Sequence, residues 1–457
     1  MRAGLFDGRS KKLIDEISRD AAPDSRHLNP GSTNLTQTSG ERPSALRAAL
    51  AGLIGNVLEW FDFAVYGYFA TDIGRQFFPK SNATAQQLLA FGVFAIGFFA
   101  RPVGSVVLGW VGDRIGRRAL LTLSIALMGG ATLVMGLLPT YAQIGLGAPI
   151  LLVTMRVIQG FSVGGEFTGS MVFTTESSSP LMRGLVSSST AAGVTIGFIL
   201  GSGSAWAINA LLRPEHVSNW GWRVPFIASV FFCVVGWLLR SGLHETAEGL
   251  KATQIRPPLI SSVIADWKPM LQTFGIVATT NAAYYLTFTY MVERRKALAP
   301  QGSVFLLANT LSLLFVLLAK PFGGWLSDRI GRRRLMLILM FAMIALIYPA
   351  FQIMFLGTPR QFILAQVLLA IPIGMALGLQ GAMLVEIFPL RTRVTSMSIA
   401  YSVTLAAAGG TAPLVSAWLI EVLGQPLAPA YYVMLHGIIG LAIMWPMKET
   451  NCRSLDE

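Results

Sequence analysis

From about residue 45 to residue 447 the chain is a succession of long apolar stretches separated by short polar or charged turns. A bilayer span needs about 20 apolar residues at helical rise, and the stretches have that length. They are rich in Gly and Met and lack the alternating segments of about ten residues that mark a membrane β-strand. The pattern predicts an all-α polytopic membrane protein and argues against a large soluble helical core. Twelve transmembrane helices are expected over 45–70, 87–112, 119–138, 148–175, 185–211, 223–240, 269–292, 303–327, 335–356, 361–387, 394–421 and 428–447. Residues 1–43 are polar and charged and end in Pro43, which reads as a disordered cytoplasmic tail and not as a signal peptide. Leu13 to Ile17 is a candidate for a short surface helix within it.

Composition agrees with this reading. Hydrophobic residues make up 53% of the chain and charged residues 13%, about half the charged share of a soluble protein. A net charge of +12 would suggest nucleic acid in a soluble chain. Here the Lys and Arg residues concentrate on one side of the predicted spans, about threefold over the other, which places both termini inside and removes any need for a nucleic-acid partner. One outer loop, Glu293-Arg294-Arg295-Lys296, runs against that rule. Cys233 and Cys452 form no disulfide or metal framework. The sequence has no Walker motif, haem-type His pair, H-E-x-x-H or G-x-S-x-G, so ATP-driven transport, hydrolysis, metal chemistry and a cofactor are not expected.

An internal repeat divides the chain. Gly109-Trp-Val-Gly112-Asp113-Arg114-Ile-Gly116-Arg117-Arg118 recurs 215 residues later as Gly324-Trp-Leu-Ser-Asp328-Arg329-Ile-Gly331-Arg332-Arg333. Glu176 with Arg183 recurs as Glu386 with Arg393 at an offset of 210. Two motifs repeating at nearly one offset imply two six-helix bundles of like orientation, the parallel duplication of a rocking transporter. The expected domains are a tail over 1–43, a first bundle over 44–240, a linker over 241–267, a second bundle over 268–447 and a tail over 448–457. Asp113 and Asp328 each end an inward-running helix before a basic turn built on Gly116 or Gly331. A carboxylate there can cap a neighbouring helix N-terminus or pair with the arginines. Together with Arg114, Arg117, Glu176, Arg183, Arg329, Arg332, Glu386 and Arg393 these residues form a candidate cytoplasmic gate.

The paired motif resembles the signature of the major facilitator superfamily. Gly55-Asn-Val-Leu-Glu59-Trp60-Phe61-Asp62-Phe63, Phe98-Phe-Ala-Arg101-Pro102-Val-Gly104, Gln159-Gly160-Phe-Ser-Val-Gly164-Gly165-Glu166, Trp220-Gly-Trp222-Arg223-Val-Pro225-Phe226 and Pro429-Ala-Tyr431-Tyr432 narrow the resemblance to its metabolite:proton symporters. It covers about residues 45–450, with proline/betaine and citrate or dicarboxylate symporters nearest. Proton-driven uptake in a bacterial inner membrane is what the resemblance implies, together with a coupling or substrate role for Arg156.

The ionisable residues inside the spans point the same way without the resemblance. Glu59, Asp62 and Glu166 are acids; Arg101, Arg156 and Lys320 are bases. An unpaired charge in a membrane costs several kcal/mol, so each is a functional candidate and mutual pairing in a wet cavity is expected. Glu59 and Asp62 lie three apart on one helical face, a suitable proton-carrying pair with Arg101 as counter-ion, and Glu166 joins them as a third candidate. Arg156 precedes Glu166 by ten residues on the fourth span. Lys320 either snorkels to the inner surface or adds positive charge to the cavity. Arg101, Arg156 and Lys320 would attract a carboxylate; Trp60, Tyr66, Tyr284 and Tyr285, with Asn281 nearby, would instead enclose a quaternary ammonium. Gly193, Gly197 and Gly201 form a stripe for close helix packing in a fifth span without the Gly-Pro pair of drug:proton antiporters. The expected activity is proton-coupled symport of a small carboxylate or zwitterion by a monomer in the bilayer. The alternatives are a non-transporting sensor on the same fold or an antiporter.

Overall fold

The computed structural model describes residues 45–79, 82–115, 117–164, 166–241, 263–299, 302–451 and 455, with the side chains at 45–54, 109–121, 166 and 239–241 left out. The expected N-terminal tail, with the surface helix at Leu13 to Ile17, lies outside the described residues, as does most of the expected linker.

Among the described residues twelve helical rods follow one another. They are α1 (Ala45–Tyr68), α2 (Ala83–Ile115), α3 (Arg117–Leu137), α4 (Gly147–Glu176), α5 (Arg183–Leu211) and α6 (Arg223–Ser241). The second set is α7 (Trp267–Tyr285, carried on through Leu286–Tyr290 and Met291–Leu298), α8 (Ser303–Ile330), α9 (Arg332–Leu356), α10 (Pro359–Ile387), α11 (Arg393–Leu423) and α12 (Ala428–Met444). Seven of these are long and apolar enough by themselves to cross a membrane; others are shorter, kinked or more polar. The chain is thus a two-bundle, twelve-helix membrane fold, and the expected spans fall on the rods within a few residues.

Helix packing repeats when six is added to each helix number. Helix α1 packs on α5 and α6 as α7 packs on α11 and α12; α2 packs on α4 as α8 packs on α10; α3 packs on α6 as α9 packs on α12. The bundles then meet through α5 on α8 and α2 on α11, which is again one contact and its repeat. Duplication in the sequence therefore appears as duplication of packing.

The stripe of small residues on α5 does what its spacing predicts. A Cβ at Gly197 would meet the carbonyl oxygen of Val57 at 2.7 Å and the nitrogen of Phe61 at 2.8 Å, so α5 lies directly on the backbone of α1. Gly184 on α5 and Gly324 on α8 similarly face each other's carbonyl oxygens across the two bundles, with no room for a Cβ on either. Close backbone approach of this kind suits a membrane, where packing and not water exclusion drives helix association. Gly197→Leu should lower the melting temperature of the protein in detergent, at about 1–3 kcal/mol of overpacking strain. An unchanged melting temperature would show that α1 and α5 can separate freely.

Candidate functional site

A cavity lies between the bundles at mid-height. Trp60 of α1 and Ala191 and Val194 of α5 line it from one side; Asn281, Tyr284 and Tyr285 of α7, Lys320 of α8, Gln380 of α10 and Tyr401 of α11 line it from the other. Five of the expected substrate residues thus converge: Trp60, Asn281, Tyr284, Tyr285 and Lys320. Lys320 does not snorkel to a surface. It is 1% exposed, and its ammonium donates to the carbonyl of Ala191 at 2.5 Å and to the hydroxyl of Thr195. Both acceptors are neutral and both belong to the opposite bundle. Trp60 Nε1, Gln380 Nε2 and the Tyr285 hydroxyl are buried with no hydrogen-bond partner among the described residues. Unmet polar atoms around a cavity are free to bond a ligand or water. Gln380 is a site residue that sequence reasoning missed, since a Gln in an apolar helix carries no charge to flag it.

The remaining expected charges sit beside this cavity. Glu59 pairs with Arg101 at 2.8 Å and Asp62 with Arg156 at 2.9 Å, all four nearly or fully buried. Three-residue spacing brings the two carboxylates to one side of α1, but each meets its own arginine, on α2 and on α4. The expected single shared counter-ion is replaced by two pairs. Arg156 also donates to Gln159 at 3.0 Å, and Gln159 donates to Thr132 at 2.8 Å. The side chain of Glu166 lies outside the described residues.

Aromatic rings complete the arginine sites. The Arg101 guanidinium lies 4.9, 4.5 and 4.6 Å from the ring centres of Trp60, Phe63 and Phe98. That of Arg156 lies 3.9 Å from Tyr66 and 4.8 Å from Phe63. A desolvated cation over a ring gains about 2 kcal/mol, and the stacks help offset the burial of two charges. Tyr66 is absent from the cavity wall: its ring faces Arg156 and its hydroxyl donates to the carbonyl of Ala90 at 3.0 Å.

The duplicated motif closes one end of the cavity. Asp328 accepts the backbone N–H groups of Gly184 at 2.8 Å and Leu185 at 2.9 Å, capping α5 of the opposite bundle. Arg332 pairs with Asp328 at 2.6 Å and with Glu386 at 3.3 Å, while Arg393 reaches across to Glu176 at 2.6 Å. Arg183 is buried in the same region, whereas Arg329 is exposed and stacked over Trp325 at 4.2 Å. Gly331 adopts φ of 103°, a conformation that L side chains rarely hold, and Glu449 packs where its Cβ would be. The Glu449 carboxylate accepts the N–H of Arg332 at 2.7 Å, and the Thr450 hydroxyl donates to Glu386 at 2.8 Å. Glu449 and Thr450, in the segment expected as a tail, are therefore bonded into this cluster. Of the first copy, Gly116 and the side chains of Asp113, Arg114 and Arg117 lie outside the described residues.

The far end is sealed by the segment that broke the charge rule. Glu293 to Lys296 is not a loop; α7 continues through it as helix Met291–Leu298. Lys296 pairs with Glu293 at 2.8 Å and crosses to Asp72 at 3.1 Å on a short helix, Ala70–Phe77, of the first bundle. It also donates to the carbonyl of Tyr68 at 2.6 Å, and Glu293 accepts the N–H of Thr71 at 2.9 Å. Beneath this cluster, Asn309 donates to the hydroxyls of Tyr68 at 2.8 Å and Ser202 at 3.0 Å and accepts from Gln366 at 2.9 Å. Lys296 is compensated by two acids, and Arg295 donates to the carbonyls of Phe355 at 2.6 Å and Gly357 at 2.8 Å. Among the described residues the bundles are thus bonded to each other at both ends.

One sequence motif has a structural use. Trp222 packs between Phe77 and Phe226, and Arg223 donates to the carbonyls of Gly136 at 2.9 Å and Leu138 at 2.7 Å at the end of α3.

Comparison with known proteins follows from this geometry. Residues 48–248 match the family model described as "Sugar (and other) transporter", and residues 273–450 match that of the Major Facilitator Superfamily. The chain is 35% identical over 429 residues to a proline/betaine transporter of Salmonella typhimurium, covering 90% of this chain and 84% of the relative. It is 34% identical over 392 residues to the citrate-proton symporter of Klebsiella pneumoniae, covering 85% and 88%. The crystal structure of a D-xylose-proton symporter superposes with a TM-score of 0.72 at 17% identity, over 90% of this chain and 99% of that one.

Lys296→Met should leave Asp72 and Glu293 buried without their cation, a loss of about 3–5 kcal/mol at the far end. The expected readout is faster labelling of a cysteine placed at Asn309 from that side. Labelling as slow as in the parent would show that the seal does not depend on the ion cluster.

Proposed function

Because the chain belongs to the major facilitator superfamily, in the branch that holds proline/betaine transporters and a citrate-proton symporter, we propose that it works as follows. It is a secondary active transporter, not an enzyme, and carries out proton-coupled uptake of a small polar organic solute by alternating access. It spans a bacterial inner membrane many times. The observation that carries the reading is a cavity between the bundles, flanked by two buried carboxylate–arginine pairs, Glu59–Arg101 and Asp62–Arg156.

In this reading the halves are residues 44–240 and 268–447, joined by a linker over 241–267, with tails over 1–43 and 448–457. The motif end faces the cytoplasm with both termini, as the charge bias supports, and the Asp72–Lys296–Glu293 end faces outward. Each chain encloses its own cavity, so it acts as a monomer. The cargo sits among Trp60, Asn281, Tyr284, Tyr285 and Lys320. The proton lands on Asp62, with Glu59 as second acceptor. A proton there neutralises the carboxylate and releases Arg156 from its partner. The change in the α1–α4 contact then weighs on the rocking of the first bundle, while Asp328 and Arg393 let go at the motif end.

The test is uptake into proteoliposomes under an imposed pH gradient. Asp62→Asn keeps the shape of the side chain and cannot carry a proton. Gradient-driven accumulation should fall at least about tenfold with equilibrium binding within about threefold of the parent. Accumulation equal to the parent's would reject Asp62 as carrier, and no uptake of any organic solute by correctly inserted protein would reject transport itself.

A further inference from the structure

The described cavity wall is unbalanced in charge, with one cation and no anion. Among the described lining residues Lys320 is the single formal charge, and it faces only the neutral Ala191 carbonyl and Thr195 hydroxyl. The unmet polar atoms on the described wall are the N–H donors of Trp60 and Gln380 and the hydroxyls of Tyr284 and Tyr285, which can donate or accept. The nearby acids are taken, since Glu59 holds Arg101 and Asp62 holds Arg156. Of the four aromatic side chains expected to enclose an ammonium, two are taken as well, while Tyr284 and Tyr285 stay on the cavity wall. Trp60, Phe63 and Phe98 surround the Arg101 guanidinium, and Tyr66 lies under that of Arg156. A cationic group entering here would meet the like charge of Lys320; a carboxylate would meet a cation and the N–H donors of Trp60 and Gln380.

The position of Lys320 adds a second consequence. It stands on α8 of the second bundle, and both of its acceptors stand on α5 of the first. The ammonium is thus a bond between the bundles. A charged acceptor outcompetes two neutral ones for the same donor.

We propose that Lys320 is the carboxylate anchor of this cavity, that the cargo is an organic anion without a cationic group, and that binding draws the ammonium off Ala191 and Thr195 and loosens the halves. This rests on the transport reading above and narrows its substrate class to carboxylates of net negative charge. Tyr285, Tyr401 and Phe167 supply the aromatic surface of the same wall.

The test uses pairs of solutes matched in shape and differing in one charged nitrogen: cyclopentanecarboxylate against proline, and 3,3-dimethylbutanoate against glycine betaine. Equilibrium binding is read on the purified full-length protein by thermal shift and tryptophan fluorescence, with no pH gradient. The anion of each pair should bind at least about tenfold more tightly than its zwitterionic partner. Lys320→Met should remove that preference and weaken the anion at least about tenfold, while Lys320→Arg keeps the preference. Thr195→Val, which takes away a competing acceptor and leaves the anchor, should tighten the anion about threefold to fivefold.

Zwitterions binding as tightly as their anionic partners, or no binding of either anion, would overturn the substrate class. Undiminished anion affinity in Lys320→Met would overturn the anchor, and unchanged or weaker affinity in Thr195→Val would overturn the tie. If Lys320→Met does not fold, the parent, Lys320→Arg and Thr195→Val still decide the question. Failure of the transport reading is separate: it appears as absent gradient-driven uptake with the binding preference intact. Failure of this inference appears as uptake that proceeds on the zwitterion.

Discussion

The interior of this protein is organised by the cost of holding ionised groups away from water. Each such group needs a partner of opposite charge, a ring face or several dipoles, or it destabilises the fold by several kcal/mol. Glu59 and Asp62 satisfy the requirement through two arginines borrowed from neighbouring helices, and the arginines satisfy theirs through stacked aromatic rings. Such an arrangement is stable only while all partners keep their charge. Adding one proton, or moving one helix, changes the balance at once. A network built to be so sensitive is an appropriate place to couple a proton to a conformational change.

The same requirement, met between bundles instead of within one, closes the two ends. At the motif end Asp328 answers the N-terminus of α5 and Arg393 answers Glu176. At the far end Lys296 answers Asp72. All three contacts join residues from opposite halves, so none can persist when its end opens. Lys320 makes a fourth bond of this kind at the middle, and it differs in having only neutral acceptors. Charged locks at the ends and a weaker polar bond in the centre form a graded set. The central bond is the one that cargo can compete for.

Much of this was legible in the sequence. Span positions, the two bundles and the motif end followed from hydropathy and from the repeat, because in a membrane the length and polarity of a segment constrain its structure tightly. The intramembrane charges announced themselves by their rarity. Partner choice was not legible. Helical spacing put Glu59 and Asp62 together and left open which arginine each would meet, since that depends on how α2 and α4 cross α1. Tyr66 read as a cavity ring for the same reason, whereas the fold turns it toward Arg156. Gln380, Asn309 and Gln366 carried no signal, being uncharged residues whose importance comes only from what surrounds them.

The segment from Glu293 to Lys296 shows the division most clearly. A topology rule counts charges along the chain and has no means of seeing an acid 224 residues away. By itself the sequence determined the number of helices, their pairing into two halves and the list of costly charges, because these depend on local composition and on internal repetition. Only the tertiary structure decided which charges neutralise one another, which face the cavity and which lock the ends. Those outcomes depend on how helices far apart in sequence are placed, and Coulomb energy and hydrogen bonding respond to that distance, angle and burial.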